Sequence, residues 1–181
     1  MLSDKIRECA TIDRADSYND KPERTALRTF LANSPNFQSF WTDYFGTPQN
    51  TLLMDNPLGK YKVDLGIVEY DLKPKSWKQK CKVHGLIEVD VYHSWESSYP
   101  ANYRYFHVLE RKLKYFMDSD MGYITCTFNK YRNQMCCTTR ENIEKILEQD
   151  GVKEIWMPKI QEYDRVVRCP LDENIHWFKL N

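Results

Sequence analysis

The stretch "GLIEVDVYHSW", residues 85–95, decides how the rest of the chain is read. Leu86, Ile87, Val89 and Val91 are the residues of a buried strand, yet Glu88 and Asp90 interrupt them. Side chains two apart on a strand share a face, so Glu88 and Asp90, with Tyr92 following, should project together. Two carboxylates side by side in an apolar run either face water or hold a cation.

Working outward, "TLLMDN" (51–56) and "KYKVDLGIVEY" (60–70) have the composition of two more strands, and "DLKPKSWKQKC" (71–81) is a lysine-rich connection into the third. An antiparallel meander is the expectation. Downstream, Val108, Leu109, Leu113, Phe116 and Met117 in "HVLERKLKYFMDSD" (107–120) predict an amphipathic helix. "MGYITCTFNKYRNQMCCTT" (121–139) predicts a hairpin turning in "NKYRN", and Thr138 with Glu141 predicts a capping box ahead of Ile143, Ile146 and Leu147. Short strands around "VKEIWM" and "DRVVRC" follow. Upstream, "NDKPERTALRTFLAN" (19–33) offers Asp20 as N-cap, Pro22 in the first turn and Glu23 as the capping-box acid, with Leu27, Phe30 and Leu31 on the apolar face. A second helix starts at Ser34 and Pro35 and carries Phe37, Phe40, Trp41, Tyr44 and Phe45, a core stripe. This order predicts an α/β (α+β) protein with a central mixed sheet flanked by helices.

The 181 residues fit one domain, 1–181, with 41% apolar and 14% aromatic content, too rich in core formers for a disordered chain. Formal net charge is +0, so nucleic-acid binding must rest on a local basic patch. The apolar runs are short and the first ten residues lack a secretory pattern; a soluble, cytoplasmic protein with no membrane partner is expected. Six cysteines without a CxxC pair point to reduced, mostly buried thiols. Cys81 and His84 lie three apart, but a structural zinc site needs about four ligands and no second pair matches.

Asp64 sits in the strand expected beside Glu88 and Asp90, and a hairpin brings acids on its two strands within a few ångströms. Three carboxylates on one face repel unless solvated or bridged by a cation, and an all-oxygen set suits Mg²⁺ or Mn²⁺. The chemistry implied is metal-assisted phosphodiester hydrolysis. Between the acid-bearing strands, Lys73, Lys75, Lys78, Lys80 and Lys82 surround Trp77, a candidate clamp of phosphate contacts and base stacking. "FNKYRNQ" (128–134) is a second basic and aromatic cluster. Each feature has a plainer reading: the acids as the solvated face of an antiparallel sheet, Glu23 as a cap, the lysines as protection for a strand edge, and His107, His176 and Trp95 as packing residues.

An Asp on one strand, a connection, an apolar strand with Glu-x-acid, then a helix and another strand resembles the core of the PD-(D/E)XK, restriction-endonuclease-like nuclease superfamily, over residues 20–140. That resemblance implies a metal-dependent endonuclease cleaving DNA or RNA, with DNA the first substrate to consider, of the kind phages and other mobile elements encode, and a homodimer as one way to cut a duplex. It gives Asp64 the place of the motif Asp and Glu88 that of the metal-binding acid. Val89 would offer its carbonyl, and Glu23 would match the acid on the preceding helix. Asp90 stands where the family has Lys, as a further ligand or as a sign of lost catalysis. Lys112, or Arg111, would then reach back from the next helix to orient the attacking water; His93 points away from the acids and Tyr92 is a poor base at neutral pH. The alternative is a catalytically inactive nucleic-acid-binding or assembly protein on the same scaffold.

Overall fold

The computed structural model describes residues 10–11, 21–47, 50–58, 62–69, 80–117, 119–157 and 161–180. In chain order its elements are β1 (Ala10–Thr11), α1 (Pro22–Asn33), α2 (Pro35–Phe45), β2 (Thr51–Asp55), β3 (Leu65–Glu69), β4 (Lys80–Tyr92), β5 (Tyr105–Leu109), α3 (Glu110–Leu113), β6 (Gly122–Asn129), β7 (Gln134–Thr139), α4 (Arg140–Asp150), β8 (Lys153–Met157), β9 (Glu162–Pro170) and β10 (His176–Lys179). The central sheet is mixed, in the order β10-β7-β6-β4-β3-β2, with β1 on the amino end of β4. The expected meander is present: β2, β3 and β4 are successively antiparallel. β6 joins β4 in parallel, Glu88 beside Thr125 and Asp90 beside Thr127, and β6–β7 form the expected hairpin.

Apolar residues of β4 are buried on both faces of the sheet. Ile87, Val89 and Val91 face α1 and α2, where they meet Leu27, Phe30 and Phe37. Leu86 faces the other side, with Trp95, Phe106, Phe116 and Tyr123. A register shift at Ile67/Val68 leaves His84 as the extra residue on β4, so that Val83 joins Leu86 although they are three apart. Glycine is needed where the helices come close. Gly85 and Gly122 are register partners under the Phe45 ring, and a Cβ would stand 2.6 Å and 2.9 Å from that ring. The second helix is capped as expected, with Ser34 Oγ accepting from the Phe37 N–H at 3.4 Å.

Several expectations are corrected. The stretch 107–120 is not one helix: Tyr105–Leu109 forms β5, antiparallel to β9, and only Glu110–Leu113 is helical. Alternation in "YFHVL" buries Phe106 and Val108 against Cys169 and Val167, and this pairing outweighs the helical spacing. The two strands near the carboxyl end pair with β5 in a separate sheet, β5-β9-β8, while β10, not anticipated, extends the central sheet beside β7. The N-cap of α1 is Lys21, without a side-chain cap bond; Asp20 lies outside the described residues. The N-cap of α4 is Thr139, and Thr138 instead accepts from Asn142 Nδ2 at 2.7 Å. Cys126, Cys136, Cys137 and Cys169 are buried and free, as expected. Among the described residues no helix is long and apolar enough to cross a membrane.

Candidate active site

A cleft of about 260 Å³ opens between the central sheet and the β5–α3 segment. Asp64, Glu88, Val89, Asp90, Tyr123, Thr125 and Thr127 form its floor, and His107, Arg111 and Lys112 stand on the opposite wall, with Lys21 at one end. Alternation on β4 and β6 explains the floor. Glu88 and Asp90 share a face, and parallel pairing sets Thr125 and Thr127 beside them. Asp64 precedes β3; one step beyond the Leu65–Ile87 pair places it across from Glu88.

Asp64 is 4% exposed and densely bonded. Its Oδ1 accepts from Lys21 Nζ at 2.7 Å and from Arg24 Nη2 at 3.0 Å, and its Oδ2 accepts from the Val89 N–H at 3.3 Å. Arg24, itself 3% exposed, also donates to Asn56 Oδ1 at 2.8 Å. Burial alone would raise the Asp64 pKa; the bonds from Lys21 and Arg24, the Lys21 charge and the Val89 N–H outweigh it and hold the carboxyl below its ordinary value. Asp64 is therefore a fixed anion, oriented by a buried guanidinium.

Glu88 is placed differently. Burial and then the nearby Asp64 charge raise its pKa, Lys112 and the Asp64 N–H offset this in part, and the carboxyl is pushed up to about 7. One oxygen, Oε1, pairs with Lys112 Nζ. The other, Oε2, is buried with no hydrogen-bond partner. The two adjacent carboxyls are thus pushed in opposite directions, Asp64 toward the anion and Glu88 toward the neutral acid. Lys112 Nζ also donates to the Lys62 carbonyl at 2.8 Å, which leaves one of its three N–H groups without a protein acceptor among the described residues. Tyr123 is fully buried, and its hydroxyl pKa is raised first by burial and then by the Glu88 and Asp64 charges.

The cleft thus unites Asp64, Glu88, Val89, Asp90 and Lys112, and Arg111 at its edge bonds Asp164 Oδ2 at 3.2 Å. Asp90 is not brought in as a third ligand. It is exposed at the mouth with Oδ1 accepting from the Val91 N–H at 2.8 Å, and among the described residues no three acid, His or Cys side chains group as a metal site. Glu23 is not brought to the cleft either, because its carboxylate lies 3.4 Å from Arg132 Nη2 on the β6–β7 turn. His93 is exposed and does not line the cleft. His84 pairs with Glu69 at 2.8 Å, and the Cys81 side chain lies outside the described residues. Lys73, Lys75, Trp77 and Lys78 lie outside the described residues; Lys80 opens β4 and Lys82 is exposed on it.

Sequence reading missed Lys21, Arg24, Thr125, Thr127 and the place of His107. One signal was available for Arg24: it stands three before Leu27 on the apolar stripe of α1, where a cation requires an acid partner. Thr125 and Thr127 depend on the parallel β4–β6 pairing, which strand patterns alone do not specify.

No family model and no curated protein matches the chain. Among solved structures, the fold is similar to that of D212, a nuclease from a fusselovirus, at 13% identity and a TM-score of 0.42 over 80% of this chain and 82% of that one. A likeness this loose assigns no residue a role.

Proposed function

We propose that the protein is a metal-dependent nuclease of the PD-(D/E)XK type that hydrolyses nucleic-acid phosphodiester bonds in this cleft. One observation carries the reading: Asp64, Glu88 and Lys112, contributed by three separate elements, converge in a single cleft with Glu88 Oε2 left buried and unpartnered. A buried carboxylate oxygen without a partner is costly in a stable fold, and a hard cation would satisfy it. Asp64 and Glu88 would hold Mg²⁺ or Mn²⁺ together with the Val89 carbonyl, which leaves β4 on the same edge as the Val89 N–H that meets Asp64. When bound, the cation supplies charge neutralisation at the phosphoryl oxygens and acidifies water.

The chain's own residues do the rest. Arg24 fixes Asp64 in one orientation, so the site is organised before substrate arrives. Lys112 stands in for the lysine missing at Asp90: its remaining N–H is directed by two bonds and donates to a phosphate oxygen or to the attacking water. Without a cation Glu88 keeps a proton up to about pH 7, and a cation bound at Oε2 would displace it. Lys21, with its side chain 49% exposed, and the Thr125 and Thr127 hydroxyls contribute further donors along the strand path.

A second reading has its own support. Each acid already has a cation, Asp64 with Lys21 and Arg24 and Glu88 with Lys112, which is how a structural ion-pair cluster in a non-enzymatic nucleic-acid-binding or assembly protein would also be arranged. Incubation with plasmid, single-stranded DNA and RNA in Mn²⁺ and in EDTA separates the two. Cleavage that needs Mn²⁺ and disappears in the Asp64→Ala plus Glu88→Ala variant is the expected result; equal inactivity of both proteins on every substrate overturns the nuclease reading.

A further inference from the structure

We infer that an aromatic shelf at the carboxyl end of β4, made by Tyr92, Tyr99, Tyr103 and Trp177, stacks unpaired nucleobases of a strand whose phosphate lies in the cleft. The proposal rests on the nuclease reading for its phosphate position, but the shelf is defined by its own geometry. Tyr92 is two residues beyond Asp90 and four beyond Glu88 on the same face, so it stands roughly 13 Å along the strand from Glu88 at about 3.3 Å per residue. The Tyr92 ring lies near-parallel to Tyr99 at 6.1 Å and edge-on to Tyr103 at 5.0 Å. Trp177 comes from β10 on the same sheet face, its neighbour Cys136 being the register partner of Thr127 in the cleft floor. It meets Tyr99 at 5.2 Å and Trp95 at 5.6 Å, both edge-on.

These contacts hold the rings in fixed orientations over buried Trp95 while leaving Tyr103 37% and Trp177 46% exposed. An aromatic surface held rigid and left open is suited to planar, apolar faces, and every base has one. Charge favours the same ligand. Arg104, next to Tyr103, is exposed and forms no ion pair with a described residue, whereas Lys130 is neutralised by Glu96 at 2.7 Å and adds no net charge. Aromatic faces with the Arg104 cation beside them, on the strand that also carries Glu88, fit a single strand better than a duplex, whose bases are already stacked.

The test is binding in EDTA, which needs no catalysis. A fluorescein-labelled oligothymidylate and a duplex of equal length are titrated with the full chain and with Tyr103→Ala, Trp177→Ala and Tyr103→Phe. Trp156→Ala serves as control, since the exposed Trp156–Tyr163 pair lies on the other sheet. Each alanine variant at the shelf is expected to weaken single-strand binding roughly tenfold, within the range of a lost base stack, with Tyr103→Phe and the control unchanged and duplex binding little affected. Unaltered single-strand affinity in both alanine variants, or equal losses for duplex and single strand, overturns the shelf. That outcome leaves metal-dependent cleavage standing, whereas loss of all cleavage with the expected binding pattern overturns only the nuclease reading.

Discussion

Replacing Glu88 by Gln should change the pH dependence of stability in a direction and amount fixed by the cleft. Glu88 moves from an ordinary value of 4.5 to about 7, mainly through burial and the Asp64 charge. The native protein therefore keeps a proton between those values that the unfolded chain has lost, so stability is fully present below pH 4.5 and declines as pH rises through about 7. The difference between the two values, at about 1.4 kcal/mol per tenfold change in proton affinity, corresponds to a loss on the order of 3 kcal/mol. Asp64 runs the other way, its contribution being present above pH 3.8 and lost as pH falls below that, outside the window. Urea unfolding of both proteins in EDTA, from about pH 4 to about pH 8, should show the wild type losing on the order of 3 kcal/mol relative to Glu88→Gln across the range. The difference, rather than either curve alone, isolates Glu88, because every other group titrates in both. A flat difference would refute the account of a strained carboxyl at this position. Repeating the series in Mg²⁺ should shrink the slope, since a bound cation favours the ionised form and lowers the pKa.

Two further substitutions probe the cations. Arg24→Met leaves Asp64 buried with its main orienting partner removed and should cost about 3–5 kcal/mol by urea unfolding, with Arg24→Met plus Asp64→Asn recovering much of the loss. Lys112→Met should reduce the rate of metal-dependent cleavage about 100-fold or more with folding retained, and should drive the Glu88 pKa further up, as read by carboxyl NMR titration; unchanged turnover would remove Lys112 from the chemistry.

The parts of this molecule that follow local rules were legible in the sequence. The β2–β3–β4 meander, the β6–β7 hairpin and the Ser34 cap each arise from alternation or turn chemistry within a short segment. Asp64 and Glu88 were legible as a pair for the same reason, since a hairpin register brings them together. What was not legible depends on partners distant in the chain. β5 could be read as helix until Val166–Pro170 is known to lie beside it, and Lys21 and Arg24 acquire a role only when α1 packs over the start of β3. Lys112 was reachable by resemblance, although the helix that carries it is one turn and not the long segment that the spacing suggested.

The two functional readings therefore differ in what the cations do, and only secondarily in the acids. Arg24 is inaccessible and bonded to Asp64 and Asn56, so it serves either reading equally as a structural counter-charge. Lys21 and Lys112 are not equivalent to it. Lys21 has half its side chain in water, and were it to leave Asp64 Oδ1, Arg24 would still hold a counter-charge there. Lys112 is held at Glu88 by a second bond to Lys62, and its third N–H adds nothing to a purely structural ion pair. Glu88 is the decisive residue. There burial and the Asp64 charge outweigh Lys112 and raise the pKa, whereas at Asp64 the bonds from Lys21 and Arg24 outweigh burial and lower it. On the nuclease reading a cation at Glu88 Oε2 would supply the charge that Lys112 alone leaves short, and on the structural reading a proton would.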